Sequence, residues 1–357
     1  MQMINKEYLY QPPIKETDIL WREVHDEMFD IYGIYNAETG EKFYRMPPSI
    51  SEKVSEDVHY LNSNTAGGRV RFQTDSPYIA LRVEMPEPIL RPHVPQISTA
   101  GFDLYCLNPD DMRHMGTFMY ICPEEDNYVY ESIIYTRKTG VCDYVINMPN
   151  SSGFEKLEIG LKADAALMHG KPYRNKKPVV FYGSSITQGG CASRPGNAYQ
   201  NFLSRKINMD YTNLGFSGSC KGEPVMIDYL ATLEMSVFVS DFDHNEDNVE
   251  KLETAHMNLY KTVRNAHPDI PYLIMTRPDT DLEYDWCRLR ADVLHKTYEY
   301  ALQNGDKNVY FIYGEEFFEG DERSSCTVDG IHPNDLGFYR MAQRVSKEFE
   351  KFIDKII

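Results

Sequence analysis

Long hydrophobic runs are absent from this sequence of 357 residues, and basic residues are comparatively few. No segment approaches the ~20 apolar residues of a membrane-spanning helix, which argues against a membrane protein. The 37 Lys and Arg residues are outnumbered by 54 Asp and Glu residues, so the formal net charge is −17. Since binding of polyanions requires a basic surface, this balance argues against nucleic acid and anionic lipid as partners and favours a neutral or cationic small substrate.

Cysteine is also scarce. The seven cysteines are an odd number without close pairs, which excludes a disulfide framework and a zinc motif of the CxxC type. The segment from Met1 to Pro13 carries charges and tyrosines where a signal peptide would be apolar. We therefore expect free thiols, a cytoplasmic location and no cofactor, although an exported protein whose leader had been removed would look the same.

Apolar and polar residues alternate through much of residues 1–165, and Gly and Pro turns separate the runs. In the run from Ile79 to Met85, the odd-numbered residues would form a buried sheet face, and the even-numbered ones, Ala80 among them, would face solvent. Many short strands at this spacing predict a β-sandwich, and we expect a jelly roll. Residues 166–177, rich in Lys and Gly and weak in periodicity, are the expected linker.

Residues 178–357 follow a different pattern, because short apolar runs now alternate with long stretches of helical period. Strand candidates lie near 179–182, 236–239, 272–275 and 309–312, and helix candidates lie near 197–207, 225–233, 249–267, 286–303 and 334–353. Runs that are apolar throughout are typical of strands buried on both faces. This half therefore predicts a flavodoxin-like α/β domain, a parallel sheet with helices on both faces. Such domains place their chemistry at the carboxyl ends of the strands.

The first of these strands breaks into the polar segment Gly-Ser-Ser-Ile-Thr-Gln-Gly-Gly at residues 183–190. A serine in a tight, Gly-flanked turn at the start of a helix exposes its hydroxyl, which makes Ser185 a candidate nucleophile. The alternative is a Ser/Gly loop that caps a helix or binds phosphate. No Lys follows, however, as a P-loop would require.

Near the end of the sequence, Asp329 precedes His332 by three residues at the start of the last predicted helix. A carboxylate there can hold the imidazole in one tautomer, so that the other ring nitrogen accepts a proton from Ser185. Alone, this spacing is more often that of a surface loop in which Asn334 caps the helix. Together, the three residues form a candidate Ser-His-Asp triad.

Two further segments offer hydrogen-bond donors for a tetrahedral oxyanion. Residues 213–219, Asn-Leu-Gly-Phe-Ser-Gly-Ser, offer the N–H of Gly218, and Asn245 offers a side-chain amide after the strand near 236–239. Each donor of that kind lowers a barrier by roughly 2.7–4 kcal/mol. Alone, either segment is more often a turn.

The order of these four blocks, Gly-Ser-Ser-Ile-Thr, Asn-x-Gly-x-Ser-Gly, Asp-x-Asn and Asp-x-x-His-Pro, resembles that of the SGNH (GDSL) hydrolase superfamily. The resemblance implies Ser185 as nucleophile, His332 as base and Asp329 as its orienter. It also implies an oxyanion hole made of the backbone of Ser185 and Gly218 and the side chain of Asn245. The third block lacks the family's glycine, so whether Asn245 or a neighbour reaches the oxyanion stays open.

Residues 101–105, Gly-Phe-Asp-Leu-Tyr, resemble the Gly-x-Asp-Leu-Tyr signature of N-terminal domains in a bacterial branch of this superfamily. That branch is similar to carbohydrate esterases in which a jelly roll precedes an SGNH domain. The resemblance implies that the first half packs against the catalytic half and shapes the substrate cleft.

These patterns together predict a serine esterase that removes small acyl groups, acetyl above all, from a carbohydrate. An O-acyltransferase is an alternative, since it would use the same site and replace water by another alcohol. A carbohydrate-binding protein with a degenerate catalytic half is a third interpretation, motivated by the altered third block. The expected partner is an acylated carbohydrate, without nucleic acid or membrane. The oligomeric state is not indicated.

A metal site is a further alternative to be weighed. Asp241, Asp243, His244 and Asp247 lie close together in the sequence, and hard or borderline cations take such ligands. Acidic residues after a strand are more often a solvated helix start. We therefore expect no bound metal.

Overall fold

The computed structural model of the chain describes residues 14–37, 42–86, 88, 91–120 and 128–357. The segment from Met1 to Pro13, from which we expected no signal peptide, lies outside the described residues. Within the described ranges, no helix has both the length and the apolar composition needed to cross a bilayer.

Antiparallel strands form most of the first half. They are β1 (Ile19–Glu23), β2 (Asp30–Tyr32), β3 (Arg69–Thr74), β4 (Tyr78–Glu84), β5 (Phe102–Cys106), β6 (Arg113–Phe118), β7 (Val129–Tyr135), β8 (Cys142–Asn147), β9 (Lys156–Lys162) and β10 (Leu167–His169). One sheet has the order β1-β9-β4-β7, and the other has the order β10-β3-β8-β5-β6, with β2 paired to β3. Side chains from both sheets share one hydrophobic core, so the predicted β-sandwich is confirmed.

Strand β4 tests the burial that the alternating pattern predicts. Ile79, Leu81 and Val83 are fully buried in the core between the sheets, as predicted. The prediction that Ala80 faces solvent is wrong, because its side chain is fully buried as well. A second, smaller cluster covers this outer face of the sheet, and Trp21 packs there.

The described residues of the first half also form the helices α1 (Pro48–Val54), α2 (Glu56–Asn62) and α3 (Gln96–Ala100). Helices α1 and α2 were not predicted. Val58 and Leu61 of α2 are buried in the hydrophobic core of the second half rather than in the sandwich. The predicted linker at 166–177 contains the short strand β10, which pairs with β3, so strands of the sandwich continue to His169. Three residues are too few for a period-two pattern to be visible in the sequence.

A parallel sheet forms the centre of the second half, as predicted. Its strands are β11 (Val179–Gly183), β12 (Tyr211–Gly215), β13 (Val237–Asp241), β14 (Tyr272–Met275) and β15 (Val309–Ile312). They lie in the order β12-β11-β13-β14-β15, which is the 2-1-3-4-5 order of flavodoxin-like domains. Adjacent strands pair in parallel, so all their carboxyl ends lie at one edge.

Helices cover both faces of this sheet. They are α4 (Ser185–Gln188), α5 (Tyr199–Ile207), α6 (Pro224–Thr232), α7 (Val249–Ala266), α8 (Tyr284–Gln303), α9 (Asp335–Phe349) and α10 (Ile353–Ile356). Residues of α6, α7 and α8 are buried in one hydrophobic cluster, and residues of α5 and α9 are buried in the other. The α/β fold predicted for this half is therefore confirmed.

Candidate active site

Ser185 is the first residue of α4, and Ser184 alone separates it from the end of β11. The hydroxyl of Ser184 accepts a hydrogen bond from the N–H of Ile186 (3.2 Å) and so caps the helix. A side chain on Gly183 would place its Cβ 2.5 Å from the carbonyl oxygen of Asp241, which only glycine avoids. This tight strand-to-helix turn holds Ser185 at the carboxyl edge of the sheet.

The three candidate triad residues meet at this edge. Ser185 Oγ lies 2.9 Å from His332 Nε2, and His332 Nδ1 lies 2.7 Å from Asp329 Oδ2. Because an ionised carboxylate only accepts hydrogen bonds, the ring proton resides on Nδ1 and Nε2 is left to accept from the hydroxyl. The fold therefore joins residues 147 positions apart into one hydrogen-bonded chain.

The carboxylate of Asp329 is held by its own loop. Its Oδ1 accepts hydrogen bonds from the N–H of Ile331 (3.0 Å) and of His332 (2.8 Å), and Gly330 between them has a φ of +82°. Burial acts to raise the pKa of Asp329, but hydrogen bonds from the backbone and ring of His332 lower it overall. Asp329 is therefore an anion at neutral pH and can stabilise a protonated imidazole.

Asp335, in the first turn of α9, ties the loop of His332 to the loop that follows α4. Its carboxylate accepts hydrogen bonds from the N–H of Ser193 (2.7 Å) and from the amide of Asn197 (2.8 Å). Asn334 caps α9 by accepting from two backbone N–H groups. The cap that we considered as an alternative is thus present, and it coexists with the contact between His332 and Asp329.

The candidate oxyanion donors lie on neighbouring loops. Gly218 follows β12 in an exposed turn with a φ of +72°, and its N–H has no acceptor among the described residues. The N–H of Ser217 donates to Gln188 Oε1 of α4 (2.9 Å), which places this loop beside the start of α4. Asn245 Oδ1 accepts from the N–H of Cys220 (3.2 Å), so its Nδ2 is free to donate elsewhere. Asn245 therefore lies beside the Gly218 loop even though its block lacks glycine.

Two side chains of the first half also reach this site. Arg91 donates a hydrogen bond from Nη1 to Ser217 Oγ (3.3 Å), next to Gly218. The ring of His93 lies 5.7 Å from the ring of His332, centroid to centroid. Both residues belong to the segment between β4 and α3, and no motif or periodicity in the sequence marked them. The β-sandwich therefore contributes one wall of the candidate site.

Residues 101–105 join the two halves of the chain. Asp103, fully buried on β5, accepts a hydrogen bond from the N–H of Gly196 (2.8 Å) and lies 3.5 Å from Arg194 Nε. The hydroxyl of Tyr105 accepts a hydrogen bond from Arg194 Nη2 (3.1 Å). These contacts hold the loop after α4, which in turn contacts the first turn of α9. The motif therefore contacts the loop after α4 and makes no direct contact with Ser185 within the described residues.

Replacing Asp103 with alanine is expected to destabilise the protein. The change leaves the buried N–H of Gly196 and the amide of Asn147, which donates to Asp103 Oδ1 (2.6 Å), without acceptors. A loss of about 1–3 kcal/mol in the free energy of unfolding is expected for each donor. Urea denaturation would measure it, with Asp110→Ala on the exposed turn before β6 as control. Equal midpoints for the two variants would contradict this role of Asp103.

The candidate metal ligands at the end of β13 and just after it make other contacts in the fold. Asp241 accepts a hydrogen bond from Thr187 (2.8 Å), and burial followed by the charge of Asp243 raises the pKa of Asp241 to about 8. Asp243 lies 2.9 Å from His244 Nδ1. Burial acts to lower the pKa of His244, but the charge of Asp243 raises it to about 9. Asp247 is exposed, and the four residues do not form a ligand cluster within the described ranges.

A different group of side chains, of types that can ligate a metal ion, lies at the candidate site. One ligand atom each of His93, Cys191 and His332 lies within 4.8 Å of the others. Burial, and then the charge of Asp329, raises the pKa of Cys191 to about 11, so its thiol stays protonated at neutral pH. Since His332 Nε2 is already hydrogen-bonded to Ser185, we interpret His93 and Cys191 as part of the wall around the imidazole.

Two family models match most of the chain. Residues 176–350 match the GDSL-like lipase/acylhydrolase family. Residues 19–167 match the GxDLY model, described as the N-terminus of SGNH-hydrolase-type esterases. Both parts of the resemblance noted in the sequence are thereby confirmed. None of the curated proteins compared with the chain matches it.

Solved structures are similar over nearly the whole chain. A protein from Bacteroides ovatus ATCC 8483, provisionally named a GDSL-like lipase, is 28% identical, with 94% of this chain and 98% of that chain covered and a TM-score of 0.83. The salicylyl-acyltransferase SsfX3 from a tetracycline biosynthetic pathway is 18% identical, with coverages of 96% and 100% and a TM-score of 0.77. An acetyl xylan esterase, Est2A, from the rumen bacterium Butyrivibrio proteoclasticus is 13% identical, with coverages of 95% and 100% and a TM-score of 0.58. At such low identity, the last two are similar in fold alone.

Proposed function

Since the chain belongs to the GDSL-like lipase/acylhydrolase family and carries the N-terminal domain of SGNH-type esterases, we propose that it is a serine esterase acting on small acyl esters, acetyl above all, of carbohydrates. The observation that carries this proposal is the hydrogen-bonded chain from Ser185 through His332 to Asp329. It lies at the sheet edge where α/β domains bind their substrates. The similarity in fold to an acetyl xylan esterase supports a sugar-borne acetyl group.

In the acylation step, Ser185 Oγ attacks the ester carbonyl carbon while its proton moves to His332 Nε2. The carbonyl electron pair moves onto oxygen and gives a tetrahedral oxyanion. The imidazolium, stabilised by Asp329, then donates its proton to the sugar oxygen as the bond between that oxygen and the acyl carbon breaks. The sugar leaves as an alcohol, and the acyl group stays on Ser185.

Deacylation repeats these steps with water as the nucleophile. His332 removes a proton from water, whose oxygen attacks the acyl carbon, and the same proton then returns to Ser185 Oγ as the acid leaves. One imidazole therefore serves both halves of the reaction, and each turnover consumes one water molecule. Asp329 keeps the ring in the tautomer that both halves require.

Replacing Asn245 with alanine tests the oxyanion hole. The variant is expected to lose about 10²–10³-fold in kcat towards 4-nitrophenyl acetate with little change in KM, because the amide would bind the oxyanion and not the ground-state ester. Asn248→Ala is the matched control. Asn248 lies on the same loop, but its side chain caps α7 by accepting a hydrogen bond from the N–H of Lys251. A wild-type kcat in the Asn245 variant would exclude the amide from the oxyanion hole.

The substrate class can be tested with acetylated xylo-, manno- and gluco-oligosaccharides. We expect acetate release from at least one of them with a higher kcat/KM than hydrolysis of 4-nitrophenyl butyrate or octanoate. Ser185→Ala assayed in parallel would show that the release is enzymatic. A preference for the octanoate would contradict a carbohydrate deacetylase and indicate a lipase.

An acyltransferase is the second candidate, favoured by the similarity in fold to SsfX3. Both reactions pass through the same acyl-enzyme on Ser185, and they differ only in whether water or an alcohol attacks it. The two reactions can be distinguished by measuring how the acetyl group partitions between water and an added sugar that offers a hydroxyl acceptor. For an esterase, we expect free acetate as the main product in the presence of millimolar acceptor.

A further inference from the structure

A cavity of about 250 Å³ lies between the β-sandwich and the α/β half, away from Ser185. Its walls come from β3, β8, the loop between β5 and β6, the segment at 171–174 and the end of α5 with the following Asn208. The N–H of Arg174 donates to the carbonyl of Asn208 (2.9 Å), and these segments lead into the amino ends of β11 and β12. Ser185 follows the carboxyl end of β11, and a strand of five residues spans about 16 Å. The cavity therefore belongs to the opposite edge of the parallel sheet.

The lining of this cavity is strongly basic in an acidic protein. Among the described residues that line it, six are Lys or Arg and none is Asp or Glu; the six are Arg69, Arg71, Lys171, Arg174, Arg205 and Lys206. The chain as a whole has a formal charge of −17. Cations gathered without carboxylates between them repel one another, and this repulsion is poorly screened where the groups are partly buried.

Only part of this charge is balanced by the protein. Arg69 pairs with Asp210 (2.6 Å) and Arg71 pairs with Asp143 (2.7 Å), and neither carboxylate belongs to the lining. Arg205 has no ion pair within 4 Å among the described residues, and its Nη1 donates to a backbone carbonyl (2.7 Å). The same ranges contain no ion pair for the other three cations, which are exposed at the rim: Lys171, Arg174 and Lys206. A bound anion would supply the missing counter-charge.

One buried donor also lacks an acceptor. The guanidinium of Arg71 is 2% exposed, and its Nε–H makes no hydrogen bond in the described part of the chain. An unpaired buried donor costs about 1–3 kcal/mol unless a ligand or water satisfies it. Its two Nη atoms are already engaged, by Asp143 (2.7 Å) and Asn208 (3.1 Å). The free Nε–H is thus a fixed donor at the cavity wall.

From these observations we propose that the cavity binds a small phosphorylated compound. The exposed guanidinium of Arg174 and the unpaired Nε–H of Arg71 can donate to the oxygens of a phosphate group, and the exposed cations would attract it. The rest of the lining mixes Asn and Ser with apolar residues, among them Leu107, Met112 and Ile207, which suits an organic group carrying the phosphate rather than a free ion. The volume is slightly below the roughly 300–1,000 Å³ of drug-sized pockets, so the ligand is a small monoester and not a polymer.

Titration calorimetry on the whole protein would test the proposal, with glucose 6-phosphate, inorganic phosphate and glucose as probes. We expect saturable binding of glucose 6-phosphate, weaker binding of phosphate and none of glucose. The triple variant Lys171→Ala, Arg174→Ala and Lys206→Ala should bind at least about tenfold more weakly, because it loses three charge-assisted contacts. All three side chains are exposed, so the fold should not be at risk.

The matched control removes the same number of charges elsewhere. Lys53, Lys307 and Lys347 are exposed and lie outside the lining, and their triple alanine variant should bind like the wild type. Ser185→Ala should also bind normally, so the outcome is independent of the proposed esterase activity. No saturable binding of either phosphate up to roughly 10 mM, or equal weakening in both triple variants, would overturn the proposal.

Discussion

Replacing Ser185 with alanine is expected to lower kcat/KM for 4-nitrophenyl acetate by about 10⁴–10⁶-fold. The proposed mechanism passes through an ester of Ser185 Oγ, the atom that lies 2.9 Å from His332 Nε2. The variant should fold normally, because the helix cap depends on the neighbouring Ser184. Steady-state kinetics with a stopped assay for slow variants would measure the loss. Undiminished turnover would remove Ser185 from the mechanism.

Ser184 provides the matched control. Its hydroxyl lies one residue away but accepts a hydrogen bond from Ile186, so it is turned towards the helix backbone. Ser184→Ala is expected to lower the free energy of unfolding by about 0.5–2 kcal/mol through loss of the cap, while hydrolysis continues. Covalent trapping should then separate the two serines. A fluorophosphonate probe is expected to label wild type and Ser184→Ala and to leave Ser185→Ala unlabelled.

Replacing His332 with alanine is expected to lower activity by a similar factor, because the imidazole that is hydrogen-bonded to the hydroxyl of Ser185 is then removed. The variant in which both residues are alanine should be no slower than either single variant, since the proposed nucleophile and base would act as one unit. A double-mutant cycle on kcat/KM measures this coupling. If the two losses multiplied instead, the residues would act independently, and the proposed proton transfer between them would be wrong.

Asp329→Asn refines the same test. The imidazole remains in this variant, but the amide no longer accepts from Nδ1 in a single orientation, so the favoured tautomer is lost. A loss of roughly 10⁴-fold is the effect of such a change in a serine triad. Because Asp329 also accepts two backbone hydrogen bonds within its loop, Asp329→Ala is expected to be slower and less stable than Asp329→Asn. Equal kinetics of Asp329→Asn and wild type would exclude an orienting role.

The fold class could be predicted because strands that are buried on both faces consist almost entirely of apolar residues, which are visible in the sequence. Strands β14 and β15 coincide with the apolar runs at 272–275 and 309–312, since a strand covered on both faces tolerates few polar side chains. The same logic failed at Ala80. A small residue on the face of β4 that was predicted to be polar can be either exposed or buried. Here a cluster to which Trp21 belongs buries it.

Other parts of the molecule could not be predicted from a sequence pattern. Helices α1 and α2 precede most of the sandwich in sequence, yet Val58 and Leu61 of α2 are buried in the core of the other half. Such packing depends on which segments lie close together in space and not on their order in the sequence. Arg91 and His93 reach the candidate site from a segment without any motif. Their positions follow from the docking of the two halves through Asp103 and its neighbours.

The sequence by itself determined the α/β and β-sandwich architecture, the family and the candidates Ser185, Asp329 and His332, because periodicity and motif order are local properties of the chain. Only the tertiary structure decided which groups meet: the chain of hydrogen bonds through these three residues, the sandwich wall beside them and the basic cavity at the opposite edge of the sheet. A net charge of −17 is a sum over all residues and carries no information on where six cations converge. Such convergence depends on contacts between distant segments, and these form only when the two halves pack together.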